Sequence, residues 1–322
     1  MGIVIFDTNA YRNLSSDKDF SELEIDVQNF KRIEQKENIS ALMHPIVIKE
    51  LLYHVAGERD GMHEKALKAL KAMFLHCGDT NQFFILADFD LQISNFFYKV
   101  IDSNRERIDL QLGEIVSALS LDSVDTVLQK YQFNLKQIRE QIQETEDFFK
   151  TQLKIFIRNI DPDAEDWTVF QNDEQKRKKA LAYFTSSRIE YEIASGYITL
   201  LHDNLLSKGL ITSDSPEQLH RKTLAFIEIF QAPIKLYKEV LKKFIQPNMN
   251  FDAKSRENFV WDIHLMFTVG DHIISATNAS LYLVTSDNEM RNAAKLSGSL
   301  SKVFSFEEYV EYITGRKARY EN

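Results

Sequence analysis

The chain has 322 residues, 44% of them hydrophobic, and a formal net charge of −9. That suffices for a well-buried core without staples, and the acidic balance argues against a sequence-independent basic glove for nucleic acid, although local basic patches or bound metal ions can still recruit phosphates. A single cysteine, Cys77, excludes an internal disulfide and a thiolate metal cluster, which removes zinc fingers and iron–sulfur centres and fits a reducing compartment. No charged leader opens the chain, and no apolar run approaches the roughly 20 residues that span a bilayer. A cytoplasmic location without a membrane partner is therefore expected. Ten glycines and five prolines are few for this length, so most of the chain is expected to be helix.

The first stretch organises the rest. Ile3-Val4-Ile5-Phe6 is short, β-branched and unbroken, and it ends abruptly on Asp7-Thr8-Asn9. It reads as a strand buried on both faces, as in a parallel sheet covered by helices. Phe20 to Glu37 carries Leu23, Val27, Phe30 and Ile33 at helical spacing, and Ile39 to Met43 is a plausible second strand. Pro45 then marks a helix start, with His44 as its cap, and places Glu50 about one turn in. Another helix is expected over Met62 to Phe74 and a third strand over Phe83 to Ala87.

From about Asp90 to Gln246 the pattern is helical throughout. One run sets Ile138, Ile142, Thr145, Phe149, Gln152 and Phe156 near a heptad stripe, which reads as a seam against a neighbouring helix or, more sharply, as a dimer coiled coil. Asp161-Pro162-Asp163 breaks it, Asp214 to Glu217 marks a further turn, and Pro233 is expected to kink or divide Leu219 to Ile245. Strand and helix alternate again after Pro247. Val260 to Phe267 is apolar-rich, Gly270-Asp271 opens a helix, and Leu281 to Val284 reads as a strand ending on Thr285-Ser286-Asp287. A helix over Asn288 to Leu296, a strand at Val303-Phe304 and a helix with a Ser305/Glu308 capping box close the layer.

Four acids thus stand at equivalent places: Asp7 and Asp287 at strand ends, Glu50 early in a helix after a strand, and Asp271 at a helix start. Singly each has a plain explanation, since Asp and Asn cap helices and helical glutamates are usually solvated. Together, on one edge of a parallel sheet, they repel one another unless a cation joins them. Oxygen-only ligation favours Mg or Mn, one or two ions, over zinc. That is the apparatus of metal-assisted phosphodiester hydrolysis.

These residues resemble the PIN-domain nucleases. The resemblance rests on Ile3 to Asn9, on Pro45 to Leu52 around Glu50, and on Gly270 to Asp287, with Leu-Val-Thr-Ser-Asp at its end. It implies an α/β fold, a three-layer PIN-like domain with a central parallel sheet, formed by residues 1–90 and 255–315; the helical pattern adds an all-α insertion over 91–254 that interrupts it, and the residues at 316–322 a basic tail. The resemblance implies that Asp7, Glu50, Asp271 and Asp287 are the metal-binding and catalytic residues, with Asn9 and Ser286 as supporting or phosphate-orienting groups. The expected activity is that of an endoribonuclease using Mg/Mn-activated water and leaving a 5′ phosphate and a 3′ hydroxyl. Stand-alone proteins of this family often look like toxins or defence nucleases.

Other features carry weaker expectations. Asp262 is a candidate fifth acid, with a surface or capping role more usual. His264 and His272 flank the acids in sequence, where packing is the commoner role for a lone histidine. Lys176, Arg177, Lys178, Lys179 and Arg188, near Tyr183 and Phe184, form a basic run that can track a phosphate backbone, although such runs are usually solvated helix faces. RNA is favoured over DNA as partner, and the insertion offers surface for a homodimer or a regulatory protein. The alternatives are an inactive PIN-like scaffold, or a DNA nuclease, for which no glycine-rich DNA-binding motif is identified. An aspartyl-phosphate phosphatase calls for a second aspartate where Asn9 stands.

Overall fold

The computed structural model describes residues 1–16, 18–57, 61–79, 82–247, 249, 259–270, 272 and 278–315. Strand β1 (Gly2–Phe6) is buried along its whole length. Each of its large apolar side chains removed from water contributes about 2 kcal/mol. β2 (Ile39–Ala41) lies parallel to it on one side. β3 (Gly78–Asp79) and β4 (Gln82–Phe83) form a separate antiparallel pair. β5 (Ser280–Val284) runs parallel to β1 on its other side, with Phe6 opposite Val284, and β6 (Val303–Phe304) runs parallel to β5. The four-stranded parallel sheet has the order β2-β1-β5-β6.

The expected third strand over Phe83 to Ala87 is reduced to an edge contact. Met43, just past β2, bridges Ile85 in parallel, donating to Phe84 O and accepting from Leu86 N, each at 2.8 Å. The chain enters a helix cap at Asp88 before a longer ladder can form.

Helices account for most of the rest. α1 (Thr8–Ser15) and α2 (Phe20–Lys36) lie between β1 and β2, and α3 (Pro45–Val55) and α4 (Gly61–Cys77) follow β2. Pro45 takes the first position of α3, and the buried His44 ring accepts from Ile46 N at 3.2 Å. Burial holds the His44 pKa down to about 4, leaving the ring neutral and able to accept. Next come α5 (Phe89–Tyr98), α6 (Ser103–Leu121), α7 (Val124–Lys130), α8 (Gln132–Ile160) and α9 (Thr168–Asn172). α10 (Glu174–Thr185), α11 (Ser187–Ser207), α12 (Pro216–Ile229) and α13 (Gln231–Phe244) complete the helical stretch. Among the described residues no strand falls between β4 and β5. α14 (Phe259–Met266), α15 (Asn288–Leu296) and α16 (Phe306–Ile313) belong to the final segment.

The break between α12 and α13 falls at Phe230, so Pro233 sits in the first turn of α13, where no backbone donor is required. The α8 stripe is a seam within the chain: Phe149 and Phe156 meet the Tyr237 ring of α13 at 5.5 and 5.9 Å. The helical stretch also packs directly on the sheet-bearing elements. α6 and α8 lie against α3, and α13 lies against α14 and α15, so a single apolar core runs through both parts.

Candidate active site

The strand order fixes where a site can form. From β1 the chain moves outward to β2, and from β5 it moves outward in the opposite direction to β6. The carboxyl ends of β1 and β5 therefore flank the topological switch point, where open parallel sheets hold their ligands. Asp7 follows β1 directly, and its N–H donates to Val284 O at the end of β5. Asp287 lies three residues past β5.

Both aspartates cap helices. Asp7 Oδ1 accepts from Ala10 N at 2.6 Å, and Asp287 Oδ1 accepts from Glu289 N and Met290 N at 2.8 Å. Thr285 links them. Its hydroxyl oxygen accepts from Asp287 N at 3.0 Å, while the same side chain contacts the Asp7 carboxylate. Asp7 is buried, and loss of solvent pushes its pKa up from 3.8 to about 6. Glu50 and Asp287 push the same way, against the Thr285 hydroxyl and Ala10 N–H.

Glu50, on α3, accepts the Thr8 hydroxyl at 2.5 Å and has the Arg12 guanidinium 3.9 Å away. Thr8 and Arg12 both belong to α1, so the turn after β1 supplies the acid Asp7 and the groups that orient Glu50. Arg12 Nε and Nη2 are buried with no hydrogen-bond partner among the described residues.

Asp262 joins this cluster. It sits on α14, and its pKa is pushed well above the ordinary carboxylate value by burial and then by the charges of Asp287, Glu50 and Asp7, with Lys243 of α13 opposing. Lys243 also pairs with Glu289 of α15. The sequence alone favours a surface or capping role for Asp262. The available signal was a lone carboxylate inside the apolar run Phe259 to Met266, where an ionisable group without a partner is costly.

The remaining candidates fall as follows. Asp271 lies outside the described residues, as does the 316–322 tail. Asn9 is exposed in the first turn of α1, and Ser286 is exposed immediately before Asp287. His272 is buried against Phe230, with Nε2 2.9 Å from Gln92 Oε1. His264 packs on the Phe89 ring, centroids 4.3 Å apart and planes tilted by 35°, and the charges acting on it are those of Asp88, Lys49 and Arg105. The basic run is engaged within the chain. Lys176 pairs with Asp161 at 2.7 Å, Lys178 with Glu174 at 2.7 Å and Arg188 with Glu192 at 2.8 Å. Arg177 and Lys179 donate to the carbonyls of Gln171 and Ile160.

Asp7, Glu50, Asp262 and Asp287 present oxygen donors only, which suits a hard divalent cation. Two of them resist ionisation because of burial and the surrounding negative charge, a strain that an added cation relieves. Among the described residues, no three ligating side chains already stand in the geometry of a bound ion, and no helix is long and apolar enough to cross a membrane. Comparison with protein-family models, with curated proteins and with solved structures gives no match.

Proposed function

We propose that the chain is a metal-dependent nuclease with a PIN-like α/β fold, acting as an endoribonuclease. The observation that supports this reading is the placement of Asp7 and Asp287 just past the carboxyl ends of β1 and β5, the adjacent central strands of the parallel sheet, with Glu50 and Asp262 near enough for their charges to push in the same direction on the buried carboxyls. Mg or Mn is the expected cofactor; Asp7, Glu50 and Asp287 would hold it, with Asp262 and Asp271 as further candidate ligands. When bound, such an ion lowers the pKa of a water and offsets charge on a phosphodiester. The chain's own groups do the positioning: Thr8 fixes one Glu50 oxygen, Thr285 ties Asp7 to Asp287, and Arg12 offers N–H groups to a phosphate oxygen. The preference for RNA over DNA rests on the resemblance of Ile3–Asn9 and Gly270–Asp287 to the PIN pattern.

An inactive scaffold is the competing reading, favoured by the absence, among the described residues, of three ligating groups in ion geometry. The two separate cleanly. Labelled single-stranded RNA, and separately DNA, are incubated with the protein in Mn²⁺ or Mg²⁺, beside an EDTA control and Asp7→Asn and Asp287→Asn variants. Metal-dependent cleavage lost in both variants establishes the nuclease and names its polymer. No cleavage, together with no Mn²⁺-induced rise in melting temperature, removes the metal site and leaves the scaffold.

A further inference from the structure

A cavity of about 860 Å³ lies between α3, α5, α8, α11, α13 and α14, on the faces of α3 and α14 adjacent to those that carry Glu50 and Asp262. Aromatic side chains, among them Phe89, Phe148, Phe149, Tyr197, Tyr237 and Trp261, line it together with aliphatic and polar residues. Aromatic faces are electron-rich and attract cations at close range.

The charged lining is unbalanced. It contains two cations, Lys49 and Arg105, and five carboxylates, Asp88, Asp90, Glu144, Glu192 and Asp203. Both cations are already engaged: Lys49 lies 3.4 Å from the buried Asp88, and Arg105 lies 3.0 Å from Asp88 and 3.2 Å from Asp90. Glu192 is held by Arg188 and Asp203 by His202. Asp90 therefore shares its ion-pair partner Arg105 with Asp88, with Lys49 and Lys208 acting from farther off, and Glu144, exposed, has no partner among the described residues. The ring nitrogens of His264, which also lines the cavity, make no hydrogen bond with the described residues. A phosphate-bearing ligand would meet excess carboxylate and no unengaged cation.

We propose that this cavity binds a small organic cation, an amine, amidine or quaternary ammonium on an apolar body, with its charge toward Asp90 and Glu144 and its body on the aromatic wall. A bound ligand would touch Ile46 and Lys49 on α3, and Val260 and Trp261 on α14, the helices that carry two of the four acids. The site is argued from its own lining and stands whether or not the chain cuts RNA.

The test is calorimetric titration of the full chain with benzyltrimethylammonium, with phenyl phosphate as the anionic counterpart and Trp261 fluorescence as a local readout. Two variants are compared. Asp90→Asn removes charge at a partly exposed position. Gly196→Leu adds bulk at an exposed position that lines the cavity, where a Cβ meets nothing within 4 Å and leucine is the better helix former. The expected result is saturable binding of the cation, weakened tenfold or more in each variant, and none of phenyl phosphate. No saturable binding at millimolar cation, equal binding of phenyl phosphate, or binding unchanged in Gly196→Leu overturns the proposal. Weakening in Gly196→Leu alone overturns it too, because the cavity would then be occupied without recognition of charge.

Discussion

Thr8 donates its hydroxyl to Glu50 Oε2 at 2.5 Å, joining the first turn of α1 to the second turn of α3. The contact holds one glutamate oxygen and leaves the other near Arg12. Groups of this kind orient a metal-binding carboxylate, and their loss typically weakens metal affinity or activity by about 10–100-fold. Thr8→Val keeps the shape and removes the donor. It should raise the Mn²⁺ concentration needed for half-maximal cleavage by about tenfold, while Thr8→Ser retains most of the wild-type response. Equal Mn²⁺ dependence in wild type and Thr8→Val would count against Glu50 as a ligand.

Asp7 supplies a pH dependence whose sign is fixed by its environment. Burial raises its pKa in the folded chain from 3.8 to about 6. Between these values the folded state holds more protons than the unfolded state, so stability falls as pH rises through this window and levels off above it. The shift corresponds to about 3 kcal/mol as an upper bound. In EDTA, wild-type urea midpoints should decline from pH 4 to 7, and Asp7→Asn should make that decline shallower, the remainder coming from Asp262 and Asp109, whose pKa values are raised in the same direction. A profile in which both proteins move in parallel would show that Asp7 is not the titrating group.

The two strand ends were the most legible part of the chain. An unbroken apolar run closed by Asp7, and another by Thr285-Ser286-Asp287, locate β1, β5 and their caps to within a residue or two. The capping box at Ser305/Glu308 and the Pro45 start were equally direct, because each is a local hydrogen-bonding requirement. Asp262 was not, because an apolar run of eight residues has no period that separates helix from strand, and its nearness to Asp287, Glu50 and Asp7 is a tertiary relationship. The single bridge at Ile85 was equally hidden, since strand length there depends on what Met43 offers across the edge. The engagement of Lys176 to Lys179 and the aromatic cavity arise from how α8, α10, α11 and α13 cross. Crossing geometry is set by packing between distant segments, which a single sequence does not display.

Behind β1, Glu34 of α2 accepts from Tyr309 of α16 at 2.7 Å and stands 2.7 Å from His76 of α4. Tyr11 of α1 completes the group, 3.1 Å from Cys77 Sγ, and Phe6 packs on the Tyr309 and His76 rings at 5.5 and 4.8 Å. This buried network pins four helices behind the strand that delivers Asp7. Removing one partner of a buried polar pair costs about 3–5 kcal/mol, because the other is stranded without solvent. Glu34→Ala should therefore lower the urea midpoint steeply, and Tyr309→Phe should cost about 1–3 kcal/mol by removing one donor. A Glu34→Ala midpoint within error of wild type would mean that water replaces the lost carboxylate.

Arg12 stands beside Glu50 with hydrogen-bonding capacity that the described residues leave unused. Its Nε and Nη2 are buried without hydrogen-bond partners among the described residues, and its charge lies 3.9 Å from Glu50, too far for a hydrogen bond. A buried N–H left unmade costs about 1–3 kcal/mol, a penalty that a bound phosphate oxygen would relieve. Arg12→Lys keeps the charge but loses the planar fork, and Arg12→Ala loses both. On the nuclease reading, Arg12→Ala should raise KM for RNA by about tenfold, equivalent to roughly 1.4 kcal/mol of binding, with a smaller rise in Arg12→Lys. The Mn²⁺-induced melting shift should stay at or above the wild-type value, since removing a cation beside Glu50 does not weaken a metal ligand. A loss of metal stabilisation with KM unchanged would instead make Arg12 a positioning residue for Glu50.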